Sequence, residues 1–484
     1  MLVRTVNWGV LLYFGWMIFP HYAYNQLVWK AHFGELYTQS SPRCIDITRD
    51  GVLDVIIGLS EGNNVGGRVC AYEGRTGALV WEKDVAASIF GSPIFYDITG
   101  DNIPDVFVGG RSTMFAAING KNGELLWQFN PKAKPPKKRK FPTDWKMFYN
   151  AQLIPDQNND AVLDLLVTNG GQEDSTAFSK SRPTGYIMIL SGKTGQILGY
   201  HPNPDFAETY CSPVYAYNNG EHEVYWGTGG ETHSGSLWKT TLQNILNCKP
   251  EAAQKIISHA RKGFVSPPVL VDLNKDNSLD IVAVALGGIC YAIDGKTTKH
   301  LWSNDLGNVE TYSIPAPGFY FDTTRTDLFL NYGRGSFVTG FKHHIQVVLH
   351  GTTGEILFQD SLDATIICSP VAAQIHQHPF HTAFLKYNLN DLELPQNHGI
   401  KMFCFDGAKP YSEIIDLPKD GSGHFSTLWV GDLDGDLKLD LFVAMRIGSW
   451  CLVRMEVAYK LKQLPGWGAY HGSFYDGVYR EKLR

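Results

Sequence analysis

"DITRDGVLD", Asp46 to Asp54, places oxygen donors at Asp46, Thr48, Asp50 and Asp54 and runs straight into the apolar "VIIG". One copy would be a polar turn before a strand. The chain repeats it as "DITGDNIPD" (Asp97–Asp105), "DQNNDAVLD" (Asp156–Asp164), "DLNKDNSLD" (Asp272–Asp280) and "DLDGDLKLD" (Asp432–Asp440), each followed by an apolar run. The gaps between first aspartates are 51, 59, 116 and 160 residues: one period, one, two and about three. Three further copies are therefore expected. They stand at Cys211–Gly230, around Asp322, and at Cys368–Leu385, where Gln374, His376 and His378 replace aspartates.

A second repeat interleaves with the first. "AYEGRTGALVW" ends at Trp81, "AINGKNGELLW" at Trp127, "ILSGKTGQILG" at Gly199, "AIDGKTTKHLW" at Trp302 and "VLHGTTGEILF" at Phe358. Each reads as strand, glycine-bearing hairpin turn, strand with a bulky end. The bulky ends read as wedges between neighbouring repeat units. One unit is then strand A ("SPIFYD"), acidic loop, strand B ("VFVGG"), strand C ("MFAAING") and strand D ("ELLWQF"). Short strands at this period make an all-β, eight-bladed β-propeller of four-stranded antiparallel blades, with a seven-bladed ring as the alternative. "LVWKAHFGELYTQSSP" (Leu27–Pro42) resembles the D strand and lead-in of "LVWEKDVAASIFGSP" (Leu79–Pro93), while the last copy has no D strand of its own. The N-terminal strand is expected to complete the last blade, which removes an open sheet edge. The domains read as a leader (1–25), one propeller (26–463) and a C-terminal tail (464–484) packing on it.

Composition agrees with a folded, turn-rich chain: 484 residues, 44% hydrophobic, 13% aromatic, net charge −6. That charge argues against nucleic acid as a partner. Arg4 followed by the twelve apolar residues Trp8–Phe19 is shorter than the roughly 20 residues a membrane span needs. It reads as a secretory leader, with an uncleaved anchor as the alternative and no transmembrane span in the mature chain. The chain is expected to be secreted, periplasmic, or at the cell surface or outer membrane. No N-x-S/T sequon occurs, which leans toward a bacterial source. None of the eight cysteines forms C-x-x-C; they read as core residues, and one or two oxidised pairs stay open.

The acidic loops resemble FG-GAP (integrin-α-type) repeats, and the glycine-tryptophan hairpins resemble PQQ-like quinoprotein repeats. The first resemblance implies calcium in the A–B loop. The chemistry fits it: Ca²⁺ takes six to eight hard oxygens, and alternating residues of a tight loop converge them. The expected ligands are Asp46, Thr48, Asp50, Val52 (carbonyl) and Asp54; Asp97, Thr99, Asp101, Ile103 and Asp105; Asp156, Asn158, Asp160, Val162 and Asp164; Asp272, Asn274, Asp276, Ser278 and Asp280; Asp432, Asp434, Asp436, Lys438 and Asp440. Up to five structural Ca²⁺ result, with solvated turns as the alternative.

Repeated, self-contained loops staple blades and do not form one convergent catalytic site. The functional expectation is a rigid scaffold binding a protein or glycan. Alternatives are a part in outer-membrane assembly or cell-surface adhesion, a PQQ-dependent dehydrogenase, and a polysaccharide-acting enzyme. The basic stretch Lys132–Lys140 suits an anionic partner, or is a solvated loop. "HQHPFH" (His376, His378, His381) offers H-x-H to a transition metal, or is a loop that has lost its carboxylates.

Overall fold

The apolar runs after the acidic loops form strands buried along their whole length, as at Asp54–Ser60 and Asp164–Gly170. The D strands alternate, as at Leu79–Val85, because one face lies against a neighbour and the other meets solvent. The computed structural model describes residues 26–480 except 63–64, 133–144, 173–175, 177, 180, 337–339, 390–397, 407–409, 419–420 and 423–425. The leader and the basic stretch beyond Lys132 lie outside the described residues.

The strands form eight antiparallel sheets, each ordered A-B-C-D from the centre outward. The ring is an eight-bladed β-propeller. The A strands are short: Arg43–Ile45, Ile94–Tyr96, Gln152–Ile154, Val214–Asn218, Val269–Val271, Ala316–Gly318, Val371–Gln374 and Trp429–Gly431 in blades 1 to 8. Gln26–His32 pairs antiparallel with Ser449–Lys460, so the N-terminal strand is the D strand of blade 8 and closes the ring. All eight cysteines are free thiols, seven of them buried.

What joins one blade to the next is a relay through the C–D hairpin. Trp81 of blade 1 donates its indole N–H to the Gly120 carbonyl of blade 2 at 2.7 Å, and the Gly120 amide donates to Asp105 at 3.1 Å. Trp29, Trp127 and Trp302 repeat this on Gly74, Gly192 and Gly351, whose amides bond Asp54, Asp164 and Asp327. The second hairpin glycine lies under the same indole. A Cβ on Gly123, at φ +75°, would come within 3.0 Å of the Trp81 ring. The exception has the same logic: blade 4 carries no tryptophan on its D strand (Gln254–His259). The matching position in blade 5 is Thr298, and Asn219 takes over the bond to the Gly295 carbonyl at 3.0 Å. Blade 3 has Gly199 at the indole position of its D strand (Ile197–Pro202), where a Cβ would meet the backbone of the short helix Leu242–Leu246 at 2.6 Å. A helix turn fills the place of an indole there.

The channel is not open. Residues 461–480 run through it and bond the inward-facing backbone of the A strands. Trp467 and Gly468 carbonyls accept from Ala372 and Val430, the Gly477 carbonyl accepts from Leu270, and the Tyr479 amide donates back to Leu270. Tyr475 bridges the Cys44 backbone and accepts, through its carbonyl, a bond from the Gln152 amide. Arg43, fully buried, donates to the Tyr470 carbonyl at 3.2 Å and lies 4.3 Å over the Tyr475 ring. Unpaired A-strand groups would otherwise face a narrow channel.

Trp81→Phe keeps the wedge but orphans the Gly120 carbonyl, and should cost about 1–2 kcal/mol in urea unfolding. Gly123→Ala should cost on the order of 1–3 kcal/mol. Thr298→Gly, at φ +57° with no indole from blade 4, should be neutral or stabilising.

Candidate functional site

The acidic loops and C–D hairpins share one end of the ring. Within each loop the first aspartate accepts at least two loop amides: Arg49 and Gly51 on Asp46, Gly100 and Asn102 on Asp97, Asn158, Asn159 and Ala161 on Asp156, Lys275, Asp276 and Asn277 on Asp272, Gly435 and Leu437 on Asp432. The carboxylate at the third ligand position (Asp50, Asp101, Asp160, Asp276, Asp436) accepts the amide two residues on. The last aspartate is a buried clamp: Asp54 Oδ2 takes the Ile47 and Thr48 amides, and its Oδ1 takes Gly74. Burial pushes the Asp164, Asp280 and Asp440 carboxyls up to about 6. These contacts hold each loop through its own amides.

Among the described residues one loop brings three carboxylates together: Asp432, Asp434 and Asp440, with ligand oxygens within 4.8 Å of one another. Arg454 stands beside them, 2.9 Å from Asp440 and 3.4 Å from Asp434 Oδ2, while Asp434 Oδ1 is buried without a partner. In blade 6 Arg325 plays a similar part on Asp327. His376, His378 and His381 do not gather: the His381 ring accepts from the Phe319 amide, and His378 meets the Tyr411 hydroxyl.

The opposite end carries a cavity of about 730 Å³ that no acidic loop reaches. Its floor is a belt at the residue leading into each A strand. The Ser41 amide donates to Ser92 Oγ at 3.0 Å, Asn150 to Ser212 Oγ at 3.2 Å, Ile314 to Ser369 Oγ at 3.0 Å, Ser369 to Thr427 Oγ1 at 3.0 Å, and Thr427 to Ser41 Oγ at 3.0 Å. Tyr470 of the channel segment seals the centre, stacked on His471 at 5.0 Å. The repeat thus supplies the floor through its "SP" lead-ins.

The wall comes from the residues after the glycine exits of the B strands and from the lead-ins themselves. Arg111, Gln172 and Glu231 follow "GG" in blades 2, 3 and 4. A Cβ on Gly171, at φ +76°, would lie 2.7 Å from both the Tyr149 hydroxyl and the Tyr210 ring, so the exit needs glycine because aromatics close over it. Phe90, Tyr149 and Tyr210 form an edge-on series at 5.2 and 6.2 Å, and Arg111 lies 5.7 Å over Phe90. Glu208, almost fully buried, accepts from the Tyr210 hydroxyl at 2.9 Å and lies 3.7 Å from Arg182 and 3.6 Å from His233. Burial raises its carboxyl above the ordinary range against those partners. Tyr312 donates to Glu231 at 2.6 Å. Sequence reasoning missed this wall; its signal was a changing polar residue at a repeat position where the frame stays constant.

This geometry defines a class: an eight-bladed propeller with indole-docked blades, a plugged channel and a polar-aromatic mouth. Solved structures share the fold. A quinohemoprotein alcohol dehydrogenase from Comamonas testosteroni is 11% identical with a TM-score of 0.58, covering 90% of this chain and 76% of that one. The quinohemoprotein alcohol dehydrogenase ADHIIG from Pseudomonas putida HK5 gives 11% and 0.55, with 90% and 76% covered. A europium-containing methanol dehydrogenase gives 10% and 0.54, with 87% and 84% covered. At such identity the likeness concerns the fold. No curated protein matches the chain in sequence. The profile of the FAM234A/B beta-propeller matches residues 67–399, and the chain belongs to that family.

His471 reports on the floor. Its ring is fully buried, with Gln152 Nε2 3.3 Å from Nδ1, and burial, with Arg43 nearby, pushes its pKa down to about 3. The neutral form's contribution is therefore present above the unfolded value of about 6.5 and is lost as pH falls from there toward about 3. His471→Gln should flatten the acid limb of the melting-temperature profile between about pH 6.5 and 4. An unchanged slope would place the acid sensitivity elsewhere.

Proposed function

We propose that this protein is an extracytoplasmic binding module: a rigid propeller, stabilised by calcium in its FG-GAP-like loops, that presents the plugged mouth to a protein or glycan partner. The observation that carries the reading is the mouth itself. Side chains of several blades converge on a floored cavity of about 730 Å³, held by a belt of hydrogen bonds. Concave sites with an aromatic wall and a few fixed polar groups are where ligands bind. Calcium would sit at Asp432 and Asp434 first, where an unpartnered buried carboxylate oxygen calls for a cation that Arg454 only partly supplies. Secretion rests on the leader-like segment, and membrane attachment stays a variant of it. No helix among the described residues is long and apolar enough to cross a membrane.

Affinity capture from an extracellular or envelope fraction tests the binding role. Wild type and a Tyr217→Ala variant on the loop face should retain the same partner, and Arg111→Glu in the mouth should lose it. No partner, or one indifferent to Arg111→Glu, would remove the reading. If the same cavity served a quinone instead, adding the quinone and calcium would give dye-linked alcohol oxidation, which this reading does not expect.

The calcium proposal is checked by melting. EGTA should lower the melting temperature, and Asp434→Asn should remove part of that difference. Equal melting with and without chelator would eliminate structural calcium.

A further inference from the structure

The belt at the mouth has a directional chemistry. A serine or threonine hydroxyl offers one donor and two acceptor lone pairs. Ser41, Ser92, Ser212, Ser369 and Thr427 each use their oxygen to accept an N–H from an adjoining lead-in. None of these five donates its own proton to a described residue. Ser266, 3% exposed and lining the same cavity, has a hydroxyl with no partner among the described residues. Six hydroxyls from six blades thus surround the axis with their acceptor side occupied or their whole capacity unused. A group at the centre meets donors.

Two features narrow what that group belongs to. Arg111 adds a guanidinium at the rim, over Phe90, and no described carboxylate pairs with it. Glu208 and Glu231 line the same cavity, fixed by the Tyr210 and Tyr312 hydroxyls. Glu208 is balanced by Arg182 and His233, whereas Glu231 disfavours a polyanion such as a nucleotide or an acidic peptide. Glu231 accepts from neutral hydroxyls readily, and Gln39 and Gln172 on the lining do either. The edge-on series Phe90–Tyr149–Tyr210 supplies an apolar wall between the two polar regions. One negative group, many hydroxyls and a C–H-rich face describe an acidic sugar.

We infer that the mouth of the propeller binds a saccharide bearing a single carboxylate or sulfate, with the anion on the hydroxyl belt and Arg111, the sugar face on Phe90 and Tyr149, and ring hydroxyls on Glu231 and Gln172. This rests on the mouth being the binding site, and it names the ligand class. The anion is common to uronic and sulfated sugars, so the probes separate them.

Isothermal titration of the full chain at low salt uses four probes: a hyaluronan disaccharide, a sulfated galactosamine monosaccharide, neutral diacetylchitobiose and inorganic sulfate. One of the two acidic sugars should bind, and the neutral one should not. Ser266→Ala removes no protein hydrogen bond, so it should melt as wild type and weaken binding several-fold. Arg111→Gln should weaken it about tenfold or more. Tyr217→Ala on the other face should change nothing. Binding of the neutral sugar at equal strength, binding of inorganic sulfate alone, or full affinity in both mouth variants overturns the inference. If no saccharide binds while Arg111→Glu still loses the captured partner, the mouth remains the binding site and the acidic-sugar assignment falls.

Discussion

A carboxylate buried in a protein interior must have partners on both oxygens, or its burial opposes folding. In this ring that requirement organises everything else. The last aspartate of each intact loop ties the A–B loop with one oxygen, and in blades 1, 2, 3 and 5 it ties the C–D hairpin with the other. The hairpin glycine so fixed then offers its carbonyl to the indole, or to Asn219, of the blade before. Register within one blade is thereby coupled to docking of the next. Blade 8 departs from the pattern: Arg454 replaces the hairpin amide on Asp440 and reaches across to the Gly74 carbonyl of blade 1. The seam between last and first blades is held by a cation as well as by the N-terminal strand.

The two ends of the ring follow from this coupling. One end holds the acidic loops and hairpins, where each blade is fastened within itself and to its neighbour. The other holds the lead-ins, tied to one another by the hydroxyl belt, and the glycine exits, which carry little fastening, so the side chains after those exits differ from blade to blade. Between them the segment Trp467–Tyr479 satisfies inward-facing backbone and divides the channel. A floor made of repeat positions under a wall of variable ones separates rigidity from recognition, as loops on a fixed scaffold do elsewhere.

Much of the architecture was legible from residues near each other in sequence. The spacing of aspartates gave the blade count, and the likeness of Leu27–Pro42 to Leu79–Pro93 gave the closure, because both are local patterns repeated at a period. The role of the loop carboxylates was only half legible. Spacing shows that five oxygens lie along a tight loop; it does not show that Asp54 faces a hairpin amide twenty residues on, or that Arg454 stands beside Asp434. Thr298 in place of the hairpin glycine has a reason that local sequence does not carry, the missing tryptophan of the preceding blade.

The sequence by itself determined an eight-bladed ring, its strand order and its closure, since the hydrophobic period and turn residues act within a few residues of themselves. Tertiary structure alone decided which carboxylates are clamps, that the C-terminal segment fills the channel, and that six hydroxyls and a wall of aromatic and charged groups meet at one mouth. Those residues are separated by up to most of the chain, and only closing the ring brings them within a hydrogen bond of one another.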